Sequence, residues 1–206
     1  MKTIFFTTTL LLTLSSFAQT TKDLKVDHML RGHIYAQSSI TDSSALGGYG
    51  ESYNTPKKIT GDEQFSERGF FLKIDTSTNI PFTEKYNGYS LYLVNKTDST
   101  LKLSAQDSRL NVVAEVFYEG KWQPIEYLPS SWCGNSYHTV FLSQNEYWTF
   151  SIPKFTGKIE TKLRYSLALG NGKYIYSNEI QTQINKEQLT IKEGHKPNGL
   201  MDPYDE

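Results

Sequence analysis

The sequence has a single cysteine, Cys133, in 206 residues. No intramolecular disulfide can form, so stability must come from core burial rather than cross-links. An excess of charge of one sign is also lacking: 21 Lys and Arg face 22 Asp and Glu, a net of −1. That balance gives no electrostatic case for nucleic acid, which is met by a strongly basic face, nor for an anionic membrane surface. No apolar run reaches the roughly 20 residues that a spanning helix needs. A phosphate loop, a dinucleotide fingerprint and a serine nucleophile elbow are missing too. Gly47-Gly48-Tyr49-Gly50 is glycine-rich, but no apolar strand leads into it and no helix follows. Four histidines (His28, His33, His138, His195) form no zinc-type constellation. The spacing of His28 and His33 would send them to opposite faces of an extended segment. Asp98 and Asp107 sit in polar stretches and read as turn formers, and no dense Asp/Asn/Gly loop offers a calcium site. No metal and no cofactor is expected.

The beginning of the chain has a distinct pattern. Lys2, an apolar stretch through Leu10, Leu11, Leu12 and Leu14, then Ser16-Phe17-Ala18 follow the three-part plan of a secretory signal peptide. Residues 1–18 are therefore expected to be a leader cleaved after Ala18, and the protein to be exported, periplasmic or extracellular. No transmembrane segment is expected in the mature chain.

From Tyr89 to Ile184 the apolar residues recur with period two. Val112, Ala114 and Val116 alternate with Val113, Glu115 and Phe117. Trp148, Phe150 and Ile152 alternate with Tyr147, Thr149 and Ser151. Ile159, Thr161, Leu163, Tyr165 and Leu167 oppose Lys158, Glu160, Lys162, Arg164 and Ser166, the mark of a half-buried antiparallel strand. Turn residues separate the runs: Asn95-Lys96-Thr97-Asp98, Glu119-Gly120, Ser143-Gln144-Asn145 and Gly170-Asn171-Gly172. With Phe70–Ile74 as a further strand, this spacing predicts an all-β sandwich over residues 70–190. Aromatics at 14%, including 14 tyrosines, suit pleated surfaces. Residues 19–69 read as a loop-rich segment with one strand between Met29 and Ser38, and Ser39–Arg68 as a long loop. Residues 191–206 read as a disordered acidic tail.

The order Leu91-Tyr92-Leu93-Val94-Asn95, Lys121-Trp122-Gln123-Pro124-Ile125, Trp132-Cys133-Gly134, Phe150-Ser151-Ile152-Pro153 and Thr161-Lys162-Leu163-Arg164 resembles exported gram-negative bacterial domains with an immunoglobulin-like sandwich. The resemblance covers about residues 86–185. It implies an antiparallel immunoglobulin-like β-sandwich and an exported compartment, and it brings no activity and no catalytic residue. Antibody domains carry a Cys…Trp…Cys arrangement, and this chain has one Cys.

Within residues 130–138, Cys133 and His138 are the candidates for a reactive thiol and its base, since a thiol needs a neighbouring base to ionise. Trp122, Trp132, Trp148, Tyr118, Tyr127 and Tyr137 crowd one window. Exposed Tyr and Trp offer flat apolar area with a polar tip to sugars or peptides. Trp148 is assigned to the core. Trp132, Tyr137 and Trp122 are the candidate binding residues, with the loop Leu128–His138 as contact surface. Asn95-Lys96-Thr97 is a formal glycosylation sequon. The leading expectation is a non-enzymatic exported module that binds a macromolecule, protein or glycan, at the cell envelope. One alternative is a cysteine-dependent hydrolase or thiol exchanger. Another is an assembly module whose sheet edge accepts a strand.

Overall fold

The computed structural model describes residues 21–61, 65–129 and 134–190. The leader (1–18), the tail (191–206), Trp132 and Cys133 lie outside the described residues.

The strands are, in chain order, β1 (Leu30–Arg31), β2 (Lys57–Lys58), β3 (Gly69–Pro81), β4 (Asn87–Lys96) and β5 (Leu101–Gln106). They continue with β6 (Arg109–Leu110), β7 (Val112–Tyr118), β8 (Lys121–Pro124), β9 (Glu126–Tyr127) and β10 (Tyr137–Leu142). The last are β11 (Glu146–Pro153), β12 (Ile159–Gly170), β13 (Lys173–Tyr176) and β14 (Ile180–Ile184). The fold is all-β, and its long pairings are antiparallel. The first sheet runs β2-β11-β4-β3. The second runs β13-β12-β7-β8, with β14 pairing the start of β12 below β13. A small sheet, β10-β5-β6, continues the hairpins of the first. β1 pairs with β9 in parallel, an exception to the antiparallel rule.

Period-two patterning places the core. Leu91 and Leu93 of β4, Trp148 and Ile152 of β11, Ala114 and Val116 of β7, and Leu163, Tyr165 and Leu167 of β12 share one buried cluster between the sheets. Leu103, Ala105, Val140 and Leu142 of the small sheet join it. The indole N–H of Trp148 is satisfied by donating to the Gln37 carbonyl at 3.0 Å, as a buried tryptophan requires.

The hairpins use residues that tolerate left-handed backbone. Asp107 and Ser108, and Glu119 and Gly120, each take positive φ at both positions of a two-residue loop, the geometry that matches strand twist.

The N-terminal segment belongs to the same core. Leu24, Ile34 and Ala36 are buried in it. The long stretch that follows contains the two-residue β2, and Phe65 is buried with Val94 and Tyr147 on the far side of the first sheet.

Side chains close two sheet edges. Along β10, Asp42 accepts the Thr139 N–H at 2.8 Å and the Ser38 hydroxyl accepts that of Phe141 at 2.9 Å. The Ser39 hydroxyl donates to the Phe141 carbonyl at 2.7 Å. Along β3, the Asn178 side-chain amide accepts the Ile74 N–H at 2.7 Å and donates to the Ile74 carbonyl at 3.1 Å. Asn178 follows β13 in the chain, so this one amide clasps the two main sheets together.

Candidate functional site

The second sheet buries one face and presents the other to solvent. On β7, Val112, Ala114 and Val116 point inward, so Val113, Glu115 and Phe117 point outward. Register then assembles the outer face. Phe117 stands opposite Trp122 on β8, Glu115 opposite Arg164 on β12, and Ser166 and Ala168 opposite Tyr176 and Tyr174 on β13.

Arg164 organises this face. Its Nε donates to Glu115 Oε2 at 2.9 Å, with a second nitrogen at 2.8 Å. Its guanidinium lies 4.2 Å from the Trp122 ring centroid and 3.7 Å from that of Tyr176. A guanidinium between two rings is held by quadrupole attraction of about 0.5–2 kcal/mol per ring. Phe117 meets Trp122 edge-on at 5.5 Å, and Tyr174 stacks on Tyr176 at 6.3 Å. The result is a row across four strands, with rings on β7, β8 and β13 and the guanidinium on β12 between them.

The row remains open to water. Phe117 (43%), Tyr174 (52%) and Tyr176 (45%) are exposed, three of the seven exposed large hydrophobic side chains among the described residues. Such clustering on one sheet marks an interaction surface, whereas scattered single exposures are ordinary. Beside Tyr174 runs a mainly apolar groove of about 360 Å³, with Val113, Ser166 and Ala168 in its lining alongside Tyr127 and Leu128. That volume falls in the range of ligand-sized clefts.

Of the residues singled out from the sequence, Trp122 belongs to this face. Tyr137 opens β10, on the small sheet, opposite Gln106, so the two do not share a sheet. His138 stacks flat on Tyr49, with ring centroids 3.7 Å apart and planes 10° from parallel. Its Nδ1 is 3.3 Å from the Ser136 carbonyl. His138 lines a polar cleft of about 190 Å³ with Asp42, Tyr49, Glu51 and Ser108. Hydrogen bonds from the Ser44 hydroxyl and from the backbone N–H groups of Thr139 and Ser44 hold the Asp42 carboxyl down at about 2.

Sequence reasoning passed over a second cluster, inside the sandwich. Glu126 is 1% exposed. One carboxyl oxygen accepts the Ala114 N–H at 2.9 Å. The other lies 3.6 Å from Nδ1 of His33 and has no hydrogen-bond partner, as is true of the buried Tyr165 hydroxyl. Burial raises the Glu126 pKa, with the nearby His33 and the Ala114 N–H opposing it. Burial, followed by the charge of Glu126, raises that of Tyr165 well above its ordinary value. Such groups collect at functional sites, but they also occur where a side chain completes a sheet. Glu126 does the latter: its carboxylate occupies the ladder position left where the chain breaks between β8 and β9.

The sequon asparagine is also structural. Asn95 is fully buried, and its amide nitrogen donates to the carbonyls of Ser99, Leu142 and Ser143. Its oxygen accepts the N–H and hydroxyl of Thr97. No part of that amide faces solvent to receive a glycan.

Among the described residues, no three His, Cys, Asp or Glu side chains are grouped to hold a metal ion. Nor is any helix there long and apolar enough to cross a membrane. No protein-family model matches the chain, and no curated protein matches it at a significant level.

Proposed function

We propose that this chain is an exported, non-enzymatic binding module of immunoglobulin-like type. Its outer sheet face, built on Trp122, Arg164, Tyr174 and Tyr176, engages a macromolecular partner at the cell envelope. The observation that carries this reading is the clustering of exposed large apolar side chains on that sheet around a guanidinium already held by Glu115. A fold of this size that needed the rings only for packing would bury them; here they stand in water at the free energy cost of exposed apolar area. Export rests on the leader pattern of residues 1–18 and on the resemblance of residues 86–185 to exported sandwich domains. Leu128, the first residue of the loop that the sequence marks as a contact surface, lines the groove.

The test is a Trp122→Ala, Tyr176→Ala double variant, compared with wild type for retention on isolated envelope material. Loss of retention in a variant that stays folded at the assay temperature, its midpoint lowered only by the few degrees the lost ring contacts cost, supports the face as the contact surface. Equal retention refutes it.

A second reading keeps Cys133 as a nucleophile with His138 as its base. It is supported by the placement of His138 in a polar cleft beside Asp42. It requires Cys133 to alkylate in the folded protein well below the ordinary thiol pKa of about 8.5. A thiol that reacts only on unfolding ends that reading.

A further inference from the structure

Resting on the proposal that the outer face is a contact surface, we infer that its partner is a protein. That partner sets a bulky apolar side chain into the groove beside Tyr174, from a surface without net charge. Three observations lead there. First, the charges of β12 are matched within the face: Arg164 to Glu115, and Lys162 to Glu179 at 2.9 Å. The exposed charges at its margins mix both signs, Lys121, Lys158 and Lys173 with Glu119 and Glu160, and form no block of one sign. A strongly charged partner would find nothing to complement. Second, the one cationic fork on the face that could grip a sugar's hydroxyls is already engaged. Arg164 spends Nε and an Nη on Glu115 and packs against the Trp122 and Tyr176 rings. The groove itself is mainly apolar, with Val113, Leu128, Ala168 and Tyr174 among its lining. Third, Trp, Tyr and Arg side by side at the centre of a patch are the side chains that carry most of the binding energy in protein interfaces.

The experiment pans a phage-displayed library of random twelve-residue peptides on the folded wild-type chain. Recovered peptides are then titrated against wild type, Tyr174→Ser, Ala168→Arg and, as a control on a distant exposed ring, Tyr53→Ala. We expect near-neutral peptides sharing a Leu, Phe or Trp. Their affinity should fall tenfold or more in each groove variant, stay within twofold in Tyr53→Ala, and change less than about threefold between 0.05 and 0.5 M NaCl, because no exposed ion pair drives the contact. Using two groove variants guards against one that fails to fold, which the thermal midpoint reveals. Peptides that bind the groove variants as well as wild type overturn the inference, as does a tenfold loss with salt. An array of neutral oligosaccharides is probed in parallel. Sugar binding lost in the groove variants, with no peptide enriched, overturns the protein partner while the contact surface stands. Indifference of every probe to both variants removes the surface as well.

Discussion

Substituting Asn95 is the sharpest test of how the two turns between the first sheet and the small sheet are held together. Its side chain joins the β4–β5 turn, through Thr97 and Ser99, to the β10–β11 turn, through Leu142 and Ser143. The donor distances are 2.8, 3.0 and 3.1 Å, and the acceptor takes Thr97 N–H at 3.0 Å. Asn95→Ala removes all of these bonds at a position where solvent can replace only part of them. Each buried group left without a partner costs about 1–3 kcal/mol. Water reaches the Ser99 side of the turn, so two of the groups bear the full cost, giving a loss of roughly 2–6 kcal/mol. At about 2–4 °C per kcal/mol for a chain of this size, the midpoint should fall by roughly 4–24 °C. Asn95→Asp conserves shape but aims a carboxylate at three carbonyl oxygens. Its folded pKa must therefore rise above the unfolded value, so the deficit should be greatest near pH 7.5 and shrink toward pH 5 as the carboxyl protonates and can donate. Chemical denaturation at the two pH values measures both effects. A loss under about 1 kcal/mol for Asn95→Ala, or a deficit in Asn95→Asp that does not change with pH, refutes this account of the amide.

Two further outcomes follow from the interior. Burial raises the Glu126 pKa, so the native state binds its proton more tightly than the unfolded chain; that contribution is fully present below the unfolded value and is lost as pH rises through the folded one. Glu126→Gln keeps an acceptor for the Ala114 N–H without the charge, so it should be more stable than wild type at pH 8 and lose that advantage toward pH 4.5, as read from denaturation midpoints across pH. At Gly157, an added Cβ would collide with the Ile184 carbonyl group; Gly157→Ala should cost about 1–3 kcal/mol because backbone must move, and an unchanged urea midpoint would show that the β12–β14 corner yields freely.

Much of this architecture was legible in the sequence, because a half-buried strand writes its two faces in alternate residues. β12 is the clearest instance: Leu163, Tyr165 and Leu167 are buried, with Arg164 facing out between them. Trp148 with Phe150 and Ile152 likewise falls in the core. Other features leave no periodic trace. Leu24 stands alone in polar sequence, and Ile34 and Ala36 flank Tyr35 in the stretch read as a strand; they reach the core beside single backbone bridges, while the strand there is only Leu30–Arg31. At Ile125 and Glu126 the period fails, since both are buried in succession where the chain breaks between β8 and β9. A carboxyl there reads as a surface charge until the Ala114 N–H it serves is seen. The aromatic face was present in the alternation, with Phe117, Arg164, Tyr174 and Tyr176 all at outward positions. What the sequence lacked was the strand order that sets these residues side by side.

The closure of β10 by side chains has a consequence for how the protein fails. Hydroxyls and one carboxylate of Ser38, Ser39 and Asp42, joined by the single Ser39 backbone N–H that donates to the Phe141 carbonyl, stand where a neighbouring strand's backbone would otherwise pair throughout. A plug of side chains can lift away without unravelling the sandwich, through a local opening that costs less than global unfolding. Each such opening bares a ready-made template for another chain. Storage losses of this protein should therefore track the opening rate of residues 38–42, visible as amide exchange at Thr139 and Phe141, rather than its melting temperature. Tightening that short segment would lengthen shelf life while leaving the melting curve almost where it was.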